Sequence, residues 1–121
     1  MDNKYGFLKM SVTEFETWLP NLSISRTVRT VQQHHTWSPS YAQFNGTNHF
    51  EVQKGMKNHH VENNGWNDIG QHISIFPDGT VVTGRPFNVT PACIAGANSG
   101  CFCIESVGNF DTGKDTMKPV Q

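Results

Sequence analysis

His34 and His35 stand side by side at the end of a strand-like run, and Glu105 sits inside the apolar stretch 101–107. An imidazole nitrogen can hold a metal or pass a proton. A carboxylate among apolar neighbours rarely belongs there unless it is paired or functional. Burial raises the pKa of such a group and suits it to general acid or base work. The structural alternative for Glu105 is a bond to Arg85 or to a backbone amide. Neighbouring side chains on a strand point to opposite faces, so at most one of His34 and His35 faces a given cleft. A zinc centre takes about three protein ligands. On these spacings the chain offers His34 and no obvious full set.

Other polar and aromatic groups gather around these residues in the sequence. Arg85 is a candidate for a substrate carboxylate or for Glu105. Trp37, Tyr41, Phe44 and Trp66 lie in or beside polar loops, where flat rings suit a glycan or peptide groove; the same rings would serve equally as core. On the second helix, His59 and His60 read as one packed and one solvated histidine. His72 could face His34 across a sheet, and His49 beside a helix start reads as a surface or capping residue.

The three cysteines, Cys93, Cys101 and Cys103, form an odd set, which argues against a closed disulfide framework. Cys101 and Cys103 alternate with Phe102 and Ile104 and so share one strand face. The simplest reading is buried small hydrophobes in a reducing compartment. A Cys93–Cys101 disulfide and a metal role are the alternatives.

The elements that would position these groups follow from local signals. Ser11 and Glu14 have capping-box spacing, after which Val12, Phe15, Trp18 and Leu19 recur at helical intervals until Pro20. Residues 27–34 read as a strand and 37–47 as an exposed loop. Asn48 to Glu51 repeats the capping pattern and opens a helix to about residue 63, its apolar face using Phe50, Val52, Met56 and His59 or His60. Residues 71–76 alternate, Pro77-Asp78-Gly79 turns the chain, and 80–83 return as a hairpin arm. A last strand covers 101–107. The order predicts an α/β domain with a mixed central β-sheet flanked by helices, preceded by an N-terminal helical segment over residues 1–26. The polar tail from Asn109 offers few apolar anchors. Two helices are thin cover for a mixed sheet, so the fold reads as C-terminally incomplete. A homo-oligomer would be one way to cover the remaining face.

The 121 residues allow one core and no second domain. A net charge of −1 gives no electrostatic reason to expect nucleic acid. No apolar run approaches the roughly 20 residues that span a bilayer. The opening MDNKYGFLKM is too polar for a signal peptide. The expectation is cytoplasmic synthesis, with any work at the cell wall reached by another route.

Several segments together resemble the type 2 N-acetylmuramoyl-L-alanine amidase and peptidoglycan recognition protein family. They are Val31-Gln32-Gln33-His34-His35-Thr36, His60 to Gly70 with Gly65-Trp66-Asn67-Asp68-Ile69-Gly70, Ile75 to Arg85 with Phe76-Pro77-Asp78-Gly79, Gly96-Ala97-Asn98, and Ile104-Glu105-Ser106-Val107-Gly108-Asn109-Phe110. The resemblance covers about residues 28–110. It implies a zinc hydrolase that cuts the lactyl-L-alanine amide of cell-wall muropeptides, with His34 as one zinc ligand. The other two ligands, a histidine and a cysteine or aspartate, would lie beyond the next helix, in a stretch absent here. It also implies Glu105 as the group that takes a proton from zinc-bound water, and Trp37, Tyr41, Arg85 and Asn98 as candidates for holding the muropeptide.

Two departures bear on that implication. Gln71 stands where some members carry a catalytic tyrosine, and Cys93 stands where many carry a histidine. With one ligand, the chain by itself is not expected to build a closed zinc site, and catalysis is expected of a longer form. The alternative is a non-catalytic peptidoglycan-binding or muropeptide-binding module.

Overall fold

Ser11 and Glu14 close the capping box that their spacing predicts. Ser11 Oγ accepts from Glu14 N at 3.1 Å, and Glu14 Oε1 accepts from Ser11 N at 3.0 Å. In the computed structural model, which describes residues 1–121, α1 runs Val12–Trp18, and a 3-10 turn at Leu19–Asn21 follows around Pro20.

The first ten residues form a hairpin, β1 (Asp2–Lys4) and β2 (Phe7–Met10). Tyr5 and Gly6 turn it with φ of 56° and 83°. Residues 1–26, expected as a helical segment, therefore supply two strands as well as α1. The predicted strand over 27–34 is β3 (Thr30–His35), and the long helix is α2 (His49–Glu62). Asn48 does not cap α2 through its side chain, which instead donates to Gln43 O and accepts from Asn45 N, both at 2.9 Å.

The hairpin arms are β4 (Ile73–Ile75) and β5 (Val81–Thr83), and the last strand is β6 (Cys101–Ser106). The strands make one sheet in the order β1-β2-β5-β4-β6-β3. Pairs involving β6 are parallel and the others antiparallel, so the sheet is mixed as predicted.

The pleat sorts the core into two layers. Val82 joins Phe7, Phe50, Met56, Ile69, Phe76 and Val107 on the α2 side. Its neighbour Val81 joins Met10, Ile73 and Phe87 on the other side, where Phe15, Trp18, Phe102 and Ile104 pack. Gln53 is a buried polar residue of α2 that periodicity did not single out. Its Nε2 donates to Thr83 O at 3.1 Å. Gln71 is buried too, donating to Ser74 Oγ at 2.9 Å. No helix is long and apolar enough to cross a membrane.

Candidate ligand-binding site

The parallel register of β3 on β6 sets His34 beside Glu105. Glu105 shares a strand face with Cys103, opposite to Phe102 and Ile104, and so turns toward α2. At the C-terminal ends of these two strands a cleft of about 670 Å³ opens, in keeping with where open α/β sheets bind ligands. Glu105 forms part of its lining. One wall is the α2 face Val52, Gly55, Met56, His59 and His60, continued by Asn64; the other is the 36–39 loop.

That loop is held rigidly. Trp37 N donates to Gly108 O at 2.9 Å, Thr36 Oγ1 donates to Pro39 O at 2.7 Å, and Gly108 N donates to Thr36 Oγ1 at 3.0 Å. Trp37 adopts φ of 62°, in the left-handed region that an aromatic residue seldom visits. Its side chain remains 59% exposed at the cleft. Backbone strain of this kind persists where the surroundings over-determine it, often at binding sites.

His34 Nδ1 lies 3.2 Å from Glu105 Oε1 and 3.2 Å from its neighbour's carbonyl, His35 O. The carbonyl can only accept, and so does the carboxylate when ionised. The network therefore assigns the ring hydrogen to Nδ1 and leaves the Nε2 lone pair facing Cys93 Sγ, 3.2 Å away. Burial pushes the Glu105 carboxyl up to about 7. His35 turns the other way, accepting from Phe110 N at 3.0 Å and stacking on the Phe110 ring. His60, pulled below its ordinary range chiefly by burial and further by His59 and Arg85, accepts from Gly70 N at 3.0 Å.

The remaining expected residues lie elsewhere. Arg85 donates to three backbone carbonyls, those of Ile69, Thr90 and Asp68, at 2.8, 2.9 and 3.3 Å. Tyr41 packs edge-on against Phe110, and its hydroxyl bonds the Gln121 side chain and Lys118 N. Asn98 Oδ1 accepts from Cys93 N and Ile94 N, at 2.8 and 2.9 Å, and so fixes the loop that carries Cys93. His72 is wholly buried and stacked on Phe102, with its Nδ1 accepting from Cys103 N. The α2 residues His59 and His60 belong to the cleft wall, a binding role not expected of them. Their signal was the helical spacing of 52, 55, 56, 59 and 60.

Zinc at His34 does not survive the geometry. The ligand atoms of His34, Cys93 and Cys103 lie within 4.8 Å of one another, as a metal cluster would. Yet Cys93 and Cys103 are joined in a disulfide. A metal takes thiolate sulfur, and neither sulfur is a thiolate here. The donors do not fit zinc. The expected zinc cofactor, His34 as its ligand, and the zinc amidase with its hydrolytic, metal-binding and wall-degrading roles are accordingly corrected. The pairing also corrects the cysteine readings: Cys103 is the partner of Cys93, and Cys101 is free and buried.

Comparison with known proteins bears on the same site. No protein-family model matches the chain. A Drosophila PGRP-LB mutant in complex with tracheal cytotoxin superposes with a TM-score of 0.69 at 26% identity, over 82% of this chain and 57% of that one. The fold is that of the peptidoglycan recognition proteins. In sequence, peptidoglycan-recognition protein SC2 of Drosophila simulans is 37% identical over 67 residues, 55% of this chain and 36% of that protein. A human N-acetylmuramoyl-L-alanine amidase is 31% identical over 83 residues, 69% of this chain and 14% of that protein. These matches support the family resemblance read from the motifs. The chain spans little more than a third, or less, of the curated relatives it matches.

Proposed function

We propose that this domain is a non-catalytic muropeptide-binding module, taking a cell-wall fragment with its sugar and stem peptide into the cleft between α2 and the 36–39 loop. The observation that carries the reading is Trp37. Its indole is held out at the cleft by a backbone in the left-handed region, over a floor that includes Glu105. An exposed flat ring suits a sugar or peptide face, and the polar wall of His59, His60 and Asn64 suits amides and hydroxyls. Relatives named for peptidoglycan recognition, and the tracheal cytotoxin complex of PGRP-LB, support the same class of ligand. The disulfide beside His34 separates this reading from an amidase, because the sulfurs next to the imidazole are not thiolates.

Indole fluorescence tests it. Titrating a muramyl tripeptide into the oxidised domain is expected to give a saturable change that Trp37→Phe removes. A signal that never saturates, or that persists in Trp37→Phe, would overturn the reading.

A further inference from the structure

From Glu105 on the cleft floor, three side chains stand in a row that leads away from the cleft. Glu105 Oε1 is 3.2 Å from His34 Nδ1, and His34 Nε2 is 3.2 Å from Cys93 Sγ. Carboxylate, imidazole and sulfur follow one another in the order in which an acid orients a ring and the ring manages the proton of a nucleophile. Each member is fixed independently. Register pairs His34 with Glu105, and Asn98 clamps the backbone of Cys93. The two bonded sulfurs differ in access: Cys93 is half-buried, whereas Cys103 is wholly buried. That asymmetry separates an outer, attackable sulfur from an inner, leaving one.

We propose that the Cys93–Cys103 disulfide is a thiol–disulfide exchange site, with Cys93 meeting the external thiol, Cys103 as the leaving sulfur, and His34 acting as acid–base partner under Glu105's orientation. The co-reactant class is a dithiol. One thiolate of the dithiol attacks Cys93 Sγ, a mixed disulfide forms, and the electron pair of the broken Cys93–Cys103 bond goes to Cys103 Sγ. The second thiolate of the dithiol then attacks its own sulfur in that mixed disulfide. This closes the dithiol to a disulfide and expels the Cys93 thiolate beside His34 Nε2. The two protons released by the dithiol end on Cys103 and on the His34–Cys93 pair, and two electrons have passed to the protein. The inference is independent of the muropeptide reading, because nothing need occupy the cleft.

Iodoacetamide labelling with peptide mass mapping tests it on the whole domain. Before reduction, Cys93 and Cys103 take no label. After dithiothreitol, Cys93 is alkylated at neutral pH about tenfold faster than glutathione in the same tube, since its imidazole partner raises the thiolate fraction. His34→Gln brings the rate to within about twofold of glutathione. Labelling of Cys93 without reductant, or a reduced Cys93 no faster than glutathione, would overturn the proposal. So would an unchanged rate in His34→Gln; should that variant not fold, the wild-type comparison with glutathione decides alone.

Discussion

The bond between Cys93 and Cys103 ties the long loop between β5 and β6 to the strand that carries Glu105. The loop has no regular structure from residue 84 to residue 100. Its first half is anchored by Arg85, buried Phe87 and Asn88, and on either side of Cys93 it is held by Ala92 N to Gly70 O at 3.1 Å and Gln32 Nε2 to Ala97 O at 3.0 Å.

Cross-linking residues ten apart in sequence removes disorder mainly from the unfolded chain, worth roughly 2–3 kcal/mol by loop entropy. The double variant Cys93→Ser, Cys103→Ser is therefore expected to unfold at lower urea. A midpoint equal to that of the oxidised wild type would contradict the tie.

Two buried groups act on stability in opposite directions as pH changes. Glu105 titrates near 7 in the fold because of burial, above its ordinary 4.5. The folded state thus holds the extra proton between those values, and stability from this group falls as pH rises through that window. His72 titrates near 4, mainly through burial and further through Arg26 and Arg85, against an ordinary 6.5. Here the unfolded state holds the extra proton, and stability falls as pH drops from 6.5 toward 4. The windows overlap and the slopes oppose, each about 1.4 kcal/mol per pH unit at most. Glu105→Gln removes one of them. The variant is expected to lose stability between pH 6.5 and 4.5 more steeply than wild type, and to gain most over wild type above pH 7. Parallel urea midpoints across that range would refute the burial argument for Glu105.

Much of this architecture is legible in the sequence where a local signal has one physical outcome. Ser11 with Glu14, Pro77-Asp78-Gly79 and the alternation of 101–106 each specify their element. The β1–β2 hairpin was not legible because its strands are three and four residues long. Its turn also places Tyr5, rather than asparagine or aspartate, at a positive-φ position. The site was half legible. His34 and Glu105 could be picked out by type and context, but their pairing depends on the β3–β6 register. Which cysteine meets Cys93 depends on the path of a 17-residue loop (residues 84–100 inclusive); Cys101 and Cys103 share a strand face and are equally buried. Spacing cannot choose between them.

Arg85 joins three backbone carbonyls of the segments flanking the hairpin. Lysine keeps the charge but cannot reproduce that planar fork. Arg85→Lys is expected to lower stability by roughly 1–3 kcal/mol in thermal or urea unfolding. An unchanged midpoint would mean the carbonyl bonds contribute nothing net.

Trp37 is mostly exposed, and its contribution to folding is correspondingly small. Trp37→Ala is expected to leave the unfolding free energy, measured in urea, within about 0.5 kcal/mol of wild type. Muramyl tripeptide binding should weaken by at least about tenfold, the scale of losing an aromatic anchor. Equal loss of binding in a control such as Val31→Ala, exposed on the edge strand β3 away from the cleft lining, would show that the effect is not local to Trp37.

The most direct measurement of the central claim is calorimetric titration of a muramyl tripeptide into the oxidised domain with a chelator present, followed by mass spectrometry of the ligand. Binding without a metal at this site predicts saturable heat and a ligand recovered at unchanged mass. Absence of binding, or release of the peptide from the lactyl group, would contradict it.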